Sequence, residues 1–583
     1  MIRDLRSLGP YVIRYRWRYA AGLASLFIKV GLTAVIPLLV KAAVDKLTAG
    51  ESIEDVAFVV GMLIGVALLK GIFQYWMRLV IVGAARLIEF ELRRDLADCL
   101  LAQSQRFYAE HRTGDLMSRI SNDVASVRVL VGQGVLNAFE TALTFIIVLS
   151  VMSAVDWRLT CIVFIPVPLV TMTVSYYGRK THEAYQQAQR RLGEMTSLAQ
   201  ENLSSVRVVR AYALAGAEQD RFAEANSRYV RQNYRLIGIW SRFYPQMDLL
   251  VGSVFAAMLG FGGLQVLNGS LSIGAFVMFM SALGLLTWPM VGLGWVVNLL
   301  ERGTASLERL NVVLHAPLPI ADGEHTDQNL DAVRGDLEFR DVGYTPFGSA
   351  RPSLRDISLD VSVGETVVFV GAVGSGKTTL LNLVPRVIDP DKGTLLLDGE
   401  ESSRWPLSVL RGSVGYVAQS GYLFSCTVRE NLLFGCEQAE DWELEEACGI
   451  AQIWDEIQDL PDGLDTLVGE RGVTLSGGQR QRVCLARALL RDPRILILDD
   501  AVASVDAVTE ARIFERLSLF LRNRTTLIAS HRLSAARIAD RVVVLDEGRI
   551  VESGSHADLL AAQGRYAGLV RKLELEEELS RGE

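Results

Sequence analysis

Cysteine and histidine are scarce in this sequence, and each occurs six times among 583 residues. The cysteines form no CxxC pair or zinc-finger spacing, so no zinc site is predicted, and they fit reduced thiols in membrane and cytosol. Basic side chains are fewer than acidic ones, and the net charge of −8 argues against nucleic acid as the main partner. No small-residue cleavage site follows the Arg-rich first 18 residues, so no signal peptide is expected.

Hydrophobic residues make up 50 % of the chain, yet 22 % of the residues are charged. The two kinds are segregated, because long apolar stretches are confined to the first 300 residues. The remainder has the composition of an ordinary soluble α/β domain. A chain of this length exceeds a single core, so we predict a membrane domain followed by a soluble domain.

Six apolar segments are long enough to cross a hydrocarbon core of about 30 Å, which takes roughly 20 helical residues. They cover residues 19–40, 56–80, 131–154, 157–176, 248–267 and 273–299. Arginines cluster before the first segment and between the second and third. The positive-inside rule therefore predicts that both termini are cytoplasmic.

The connections on the cytoplasmic side are unusually long. Residues 179–243 contain no proline and keep a helical pattern, which predicts two antiparallel helices. Each helix of about 30 residues would reach roughly 45 Å, at about 1.5 Å per residue. Residues 103–128 are expected to form the matching extension between the second and third spans.

A phosphate-binding loop is predicted in the soluble half, after an irregular linker at 315–335. A strand at 365–370 leads into Gly371–Thr378, which reads GxxxxGKT, and then into a helix. The glycines let backbone N–H groups surround phosphate oxygens. Lys377 supplies charge to the phosphates, and the Thr378 hydroxyl is a predicted Mg²⁺ ligand.

Two further motifs support a nucleotide site. Residues 494–500 form an apolar strand that ends in two carboxylates, of which Asp499 would hold Mg²⁺. Between the two motifs lies Leu475-Ser-Gly-Gly-Gln479, followed by a helix predicted at 480–490. This is a second phosphate-binding surface, which a single nucleotide site does not need. We therefore expect it to serve a nucleotide that another chain holds.

LSGGQ ahead of a carboxylate-tipped strand resembles the signature of ATP-binding-cassette (ABC) transporters. Gln419 resembles their Q-loop, residues 466–472 the X-loop of exporters, residues 503–506 the D-loop, and His531 the switch histidine. Segments within 106–123 and 201–212 resemble the two intracellular loops of exporters. The resemblance covers essentially the whole chain. It includes half transporters of the bacterial multidrug-resistance-like type.

The resemblance implies a six-helix all-α transmembrane domain with long cytoplasmic helical extensions, followed by an α/β P-loop nucleotide-binding domain with a helical subdomain. We expect these at 1–315 and 336–572, with a linker at 316–335 and an acidic tail at 573–583. It also implies a dimer in which two ATP molecules lie between head-to-tail nucleotide-binding domains. ATP would drive export of a hydrophobic or amphipathic drug, lipid or peptide across the inner cell membrane.

Three sets of site residues follow from the resemblance. The catalytic set is Asp500, His531 and Gln419, and the Mg²⁺ ligands are Thr378, Gln419 and Asp499. The nucleotide contacts are Gly371, Ala372, Val373, Gly374, Ser375, Gly376, Lys377, Thr378, Thr379, Tyr344, Phe347, Ser476, Gly477, Gly478, Gln479 and Asp506.

The chain departs from the family pattern at two positions. Asp500 stands where the family usually has Glu, and its shorter carboxylate would stop about 1–1.5 Å short of the water, which can cost about 10²-fold in rate. Pro346 stands where the adenine-stacking aromatic is expected, so Tyr344 or Phe347 would substitute. Both changes affect the chain's own ATP site. They favour the degenerate-site subunit of a heterodimer over a homodimer that hydrolyses ATP slowly.

Two questions stay open at this point. A nucleotide-sensing regulatory subunit is the alternative to a transporter, although an intact LSGGQ favours transport. Lys29, Lys70 and Asp248 lie in or beside predicted spans, where charge is costly. They either line a substrate cavity or pair with local groups and reach the membrane surface.

Overall fold

The computed structural model describes residues 5–165, 167–436 and 438–581. The chain divides into two compact units. Unit 1 consists of Met1–Leu101 and Thr113–Ala316, and unit 2 of Ala102–Arg112 and Pro317–Glu583.

Unit 1 is built from helices. The long ones are α1 (Arg16–Thr48), α2 (Ile53–Leu101), α3 (Val135–Val155), α4 (Val167–Ser204), α5 (Ala215–Ala257) and α6 (Ile273–Leu314). Shorter helices lie at Gly9–Arg14, Thr113–Ser118, Val124–Val129, Trp157–Phe164, Val206–Ala211 and Gly263–Leu267. An all-helical unit satisfies its backbone hydrogen bonds internally, as a lipid environment requires.

Four helical stretches among the described residues are long and apolar enough to cross a membrane. They are Arg16–Thr48, Ile53–Ala102, Thr113–Val155 and Ala215–Leu267, and a shorter apolar stretch follows at Ile273–Thr287. The predicted fourth span is divided between Trp157–Phe164 and the start of α4, and its residue 166 lies outside the described residues. The predicted count of six spans therefore stays a prediction.

The structure contains the pair of long helices that was predicted between residues 179 and 243. Helices α4 and α5 contain 38 and 43 residues, and at about 1.5 Å per residue each extends well beyond the thickness of a bilayer. They pack side by side, and the Gln232 amide donates to the Gln187 side-chain oxygen at 2.9 Å. The short helix Val206–Ala211 lies in the turn between them.

One predicted polar group within the spans has a local partner. Lys29 of α1 is 8 % exposed and forms an ion pair with Glu140 of α3. Lys70 is half-buried on α2, and Asp248 is exposed on α5.

Unit 2 contains two β-sheets. The strands are β1 (Leu337–Tyr344), β2 (Leu354–Val361), β3 (Thr366–Val370), β4 (Lys392–Leu397), β5 (Glu400–Glu401), β6 (Val414–Val417), β7 (Ile495–Asp499), β8 (Thr525–Ala529), β9 (Arg541–Asp546) and β10 (Arg549–Gly554). The four-stranded sheet is antiparallel, with the order β2-β1-β4-β5. The six-stranded sheet has the order β10-β9-β3-β8-β7-β6, and all its neighbouring strands are parallel except the pair β9 and β10.

Helices cover the six-stranded sheet, and they include the segments expected to form the helical subdomain. The principal ones are α7 (Lys377–Leu383), α8 (Gly477–Leu490) and α9 (Ala507–Phe520). Shorter ones lie at Gln105–Glu110, Leu407–Gly412, Val428–Leu432, Asp441–Ile450, Trp454–Gln458, Leu533–Arg537 and His556–Ala561, and the last described helix is Arg565–Arg581. Strands β3 and β7 are buried throughout, as parallel central strands are.

The observed bounds of several helices and strands differ from the predicted ones. Strand β3 begins at Thr366, and α8 begins at Gly477 rather than at residue 480, because Ser476 caps that helix. Residues 316–336 contain no helix or strand, as expected of a linker. The predicted tail at 573–583 continues the last helix to Arg581, and residues 582–583 lie outside the described residues.

Candidate functional site

The loops that follow four parallel strands meet at one edge of the six-stranded sheet. Strands β3, β8, β7 and β6 are neighbours in the sheet, and β9 and β10 lie beyond β3. Because these four strands are parallel, their carboxyl ends lie at the same edge of the sheet. Ligands of such sheets bind in the crevice outside this edge. A cavity of about 290 Å³ lies there, lined by Ser353, Val373, Gly374, Ser375, Gly376, Lys377, Thr378, Thr379, Gln419, Asp499, Asp500, Ala529 and His531.

The loop between β3 and α7 depends on glycine. Gly376 has a φ of +104°, and a Cβ there would lie 2.5 Å from the Ser353 carbonyl oxygen. Gly371 would bring a Cβ to 2.1 Å from the Leu545 carbonyl oxygen. The loop can therefore turn tightly and present its backbone N–H groups at the beginning of α7.

Lys377 lies inside this loop and is 8 % exposed. Its ammonium donates to the carbonyl oxygens of Gly371 at 2.9 Å and Ala372 at 3.0 Å. Burial lowers the pKa of Lys377, and the carboxylates of Asp500 and Asp499 oppose that shift. The loop carbonyls therefore orient this cation at the wall of the cavity.

Thr378 and Asp499 form an oxygen pair beside Lys377. The Thr378 hydroxyl donates to Asp499 Oδ1 at 3.0 Å. Asp499 is 3 % exposed, and burial raises its pKa, with a smaller contribution from the neighbouring Asp500. The exposed Thr378 hydroxyl and the buried Asp499 carboxylate are in contact. Such a pair is the kind of partial ligand set that Mg²⁺ uses, since that ion keeps phosphate oxygens and waters in its remaining positions.

Asp500, Gln419 and His531 also line the cavity. The Gln419 side-chain amide lies 3.5 Å from Asp500 Oδ2. Asp500 has a φ of +50°, a region that Asp occupies more readily than most residues, and its backbone N–H donates to the Ala529 carbonyl oxygen at 2.9 Å. Burial lowers the pKa of His531, and Lys377 lowers it further, while Asp500 opposes the shift.

The signature residues do not line this cavity in the described chain. Ser476 caps α8 and accepts from the Gln479 backbone N–H at 3.2 Å, while the Gln479 side chain accepts from the Ser476 N–H at 2.8 Å. A Cβ on Gly478 would come within 2.8 Å of the Ser504 carbonyl oxygen. Asp506 caps α9 by accepting from the Thr509 N–H at 3.0 Å. These residues, including Gly477, therefore form a second surface of unit 2.

Pro346, where the adenine-stacking aromatic is expected, and the two candidate substitutes Tyr344 and Phe347 have different surroundings. Tyr344 is half-buried against the core of the antiparallel sheet, and burial raises its pKa. Pro346 is also half-buried. Phe347 is 51 % exposed, and the Arg106 guanidinium lies 5.0 Å from its ring centroid. The exposed ring of Phe347 is thus the more accessible of the two aromatic candidates.

Sequence reasoning missed Gln481, which is 5 % exposed on α8. Its side chain donates to the Gln419 carbonyl oxygen at 3.1 Å and accepts from the Ser504 N–H at 2.8 Å. The two partners lie 62 and 23 residues away in the chain. Because both contacts are long-range, no local pattern marks this residue.

A P-loop and a carboxylate-tipped strand at one sheet edge, in a chain with long apolar helices, define a membrane protein with a nucleotide-binding ATPase unit. Family models narrow this class: the ABC transporter transmembrane region matches residues 19–290, and the ABC transporter model matches residues 354–503. The chain belongs to the ABC transporter family and is an ATP-hydrolysing, multi-pass membrane exporter.

Individual relatives match over nearly the full chain. A probable multidrug resistance ABC transporter ATP-binding/permease protein of Bacillus subtilis is 37 % identical over 97 % of each chain. An ATP-dependent lipid A-core flippase of Syntrophus aciditrophicus is 36 % identical, covering 94 % of this chain and 91 % of its own. The structure of a bacterial Atm1-family ABC exporter with ATP bound matches with a TM-score of 0.80 and 26 % identity over 97 % of this chain and 98 % of that one.

Proposed function

We propose that this chain is one half of a dimeric ABC exporter that uses ATP to move a hydrophobic or amphipathic drug, lipid or peptide out of the cell. The observation that carries the proposal is the cavity at the sheet edge, where Lys377, Asp499 and His531 converge. The helices of unit 1 supply the membrane path. The multidrug and lipid names of the relatives support the same class of substrate.

ATP would bind at the P-loop of unit 2. The loop from Gly371 to Thr379 would surround the phosphates, and Lys377 would exchange its two carbonyl partners for phosphate oxygens. Thr378, Asp499 and Gln419 would hold Mg²⁺. When bound, the ion supplies positive charge that offsets the charge on the phosphate oxygens.

Asp500, Gln419 and His531 would act on the attacking water and the terminal phosphate. Asp500 would orient the water, His531 would contact the phosphate, and Gln419 would link the site to the rest of unit 2. The Asp500 carboxylate is one methylene shorter than the usual Glu. A misplacement of about 1 Å can cost about 10²-fold in rate, so hydrolysis at this site would be slow.

A second half transporter would complete the catalytic unit. Ser476, Gly477, Gly478, Gln479 and Asp506 lie outside the chain's own cavity, so we assign them to the nucleotide of the partner. The changes at Asp500 and Pro346 affect only this chain's own site. That asymmetry favours a heterodimer whose partner carries the usual Glu, rather than a homodimer of slow sites.

The regulatory alternative is less well supported. A subunit that only senses nucleotide would not need a signature surface for a partner's site, and Ser476 and Gln479 form a complete capping box at that surface. We further propose six spans, a location in the inner membrane and cytoplasmic termini. The proposed parts are a membrane domain at 1–315, a linker at 316–335, a nucleotide-binding domain at 336–572 and an acidic tail at 573–583.

The test is ATP-dependent transport by the purified complex in sealed vesicles. Wild-type protein should move an amphipathic dye only with Mg-ATP. Lys377→Ala should weaken ATP binding at this chain's site by at least about tenfold, because a charge-assisted contact to phosphate is worth roughly 1.5–3 kcal/mol. Lys392→Ala is the matched control, since Lys392 is exposed and pairs with Asp356 away from the cavity. ATP binding that is unchanged in Lys377→Ala would contradict the site assignment.

A further inference from the structure

Unit 1 contains a second large cavity, and none of its lining residues lines the cavity at the P-loop. Its volume is about 680 Å³, within the range of small-molecule sites. One face of α2 lines it with Tyr75, Met77, Arg78, Leu79, Val82, Gly83 and Arg86. The opposite wall consists of Gln133, Leu136, Asn137 and Glu140, and Trp295 of α6 also contributes.

Arg78 is the unusual member of this lining. It is exposed and lies near the end of the second predicted span, and among the described residues it forms no hydrogen bond or ion pair. A charged side chain at such a position is costly and usually faces an aqueous cavity or a partner. The cavity therefore exposes a guanidinium that is available to a ligand.

The nearby carboxylates already have partners. Glu140 pairs with Lys29, and Lys70 also lies within electrostatic range of that pair. Glu89 is shared by Arg86 at 3.0 Å, Arg93 at 2.9 Å and Arg128 at 3.2 Å. Neither carboxylate is free to neutralise Arg78, so the surroundings of the cavity carry an excess of positive charge.

The rest of the lining suits the apolar part of an amphiphile. Tyr75 and Trp295 are 65 % and 44 % exposed, and Leu79 adds aliphatic surface to the same cavity. Gln133 and Asn137 provide neutral hydrogen-bonding groups beside the arginine. A planar guanidinium with aromatic and aliphatic walls matches a phosphate, carboxylate or sulfate group attached to an apolar body.

We propose that this cavity binds the anionic group of an amphipathic molecule, with Arg78 as its main contact, and disfavours cationic amphiphiles. This inference rests on the proposed export function and specifies the chemistry of the substrate. A cationic amphiphile would be repelled by the positive charge of Arg78, because Glu140 and Glu89 are already paired and offer no free negative charge.

The experiment measures lipid binding to the purified full-length transporter by native mass spectrometry. Phosphatidylglycerol and phosphatidylcholine with identical acyl chains are the probes, and inorganic phosphate is a competitor. Wild-type protein should bind phosphatidylglycerol about tenfold more tightly, and Arg78→Gln should remove most of that preference. Arg158→Gln is the control, because Arg158 is exposed and does not line the cavity.

Each outcome supports or overturns the inference. A preference for phosphatidylglycerol that persists in Arg78→Gln, or that disappears equally in Arg158→Gln, overturns it. Displacement of the lipid by equimolar phosphate would show that a free anion alone is enough for binding, and this result would overturn the proposal that the ligand is an amphiphile. If Arg78→Gln does not fold, Asn137→Asp replaces it, since a new carboxylate beside Arg78 should also weaken phosphatidylglycerol binding.

A separate measurement keeps this inference distinct from the proposed function. Wild-type protein that hydrolyses Mg-ATP and transports dye, but shows no lipid preference, would overturn only the anionic-ligand inference. Wild-type protein that shows the lipid preference but no ATP-dependent transport would overturn the exporter proposal and leave an anion-binding membrane cavity.

Discussion

The side-chain amide of Gln481 donates a hydrogen bond of 3.1 Å to the main-chain carbonyl oxygen of Gln419. The side-chain oxygen Oε1 of Gln481 accepts a hydrogen bond of 2.8 Å from the Ser504 N–H. One buried side chain therefore joins the segment that carries Gln419 to the segment that follows Asp500. Gln481 lies in α8, five residues after Ser476, so it also connects both segments to the helix that carries the second phosphate-binding surface.

We expect Gln481→Leu to lower the kcat of ATP hydrolysis by the complex by about tenfold or more. Two buried backbone groups would lose their partners at about 1–3 kcal/mol each, and α8 with the Ser476 surface that we assign to the partner's site would lose its position. The KM for ATP should change little, since Gln481 does not line the cavity. Gln481→Glu keeps the acceptor for Ser504 and should retain more activity. Steady-state ATPase assays measure both constants, and a rise in KM with an unchanged kcat would contradict the positioning role.

A second prediction concerns Ser476, which lies outside the chain's own cavity. If this surface completes the partner's site, Ser476→Arg should abolish most ATPase activity of the complex while ATP still binds at Lys377. Ser518→Arg is the control, because Ser518 is a partly exposed residue of α9 that does not line the cavity. Near-normal hydrolysis by the Ser476→Arg complex would refute the shared-site arrangement.

A third prediction distinguishes the heterodimer from the homodimer through Asp500. In a heterodimer with a normal partner site, Asp500→Asn should change turnover little, because the short carboxylate contributes little. In a homodimer the same change would remove the only base, at a cost of about 10²–10⁴-fold. The measurement is steady-state ATPase at saturating Mg-ATP. A loss of more than about a hundredfold would favour the slow homodimer.

A fourth prediction follows from the lowered pKa of His531, which is caused first by burial and then by Lys377. Its titration midpoint should lie below the ordinary value of 6.5. Asp500→Asn should lower it further, since the carboxylate favours the protonated imidazole. NMR of histidine-labelled protein can resolve this, because the chain has six histidines and His531→Asn assigns the signal. A midpoint above 6.5 would contradict the burial argument.

The same shift predicts the sign of a stability change. The unfolded chain binds a proton at His531 more readily than the folded chain does. Both states are neutral there well above pH 6.5, so His531 has no effect on stability in that range. As the pH falls through and below that value, the unfolded state is protonated first and the free energy of unfolding decreases. His531→Asn should reduce this acid-dependent loss in a thermal-unfolding series.

The local motifs were predictable from the sequence because their chemistry depends on neighbours in the chain. The run Gly371–Thr378 needs closely spaced glycines and a following helix. The structure has both at the expected place, and Gly371, Gly374 and Gly376 all have positive φ. The strand that ends at Asp499 was recognisable because a parallel central strand is apolar throughout. The long helices α4 and α5 followed from an unbroken helical pattern without proline between residues 179 and 243.

Other features depend on contacts between distant segments, which periodicity and motif spacing do not encode. Gln481 joins segments 62 and 23 residues away, and Phe347 meets Arg106 across about 240 residues of chain. Lys29 was ambiguous in the sequence, and only the packing of α1 against α3 gives it Glu140 as a partner. The sequence by itself determined the membrane-plus-ATPase organisation and the phosphate-binding chemistry, because each lies in one continuous segment. Only the tertiary structure decided which charges are paired and that Arg78 is left facing a cavity, because pairing depends on which helix faces meet.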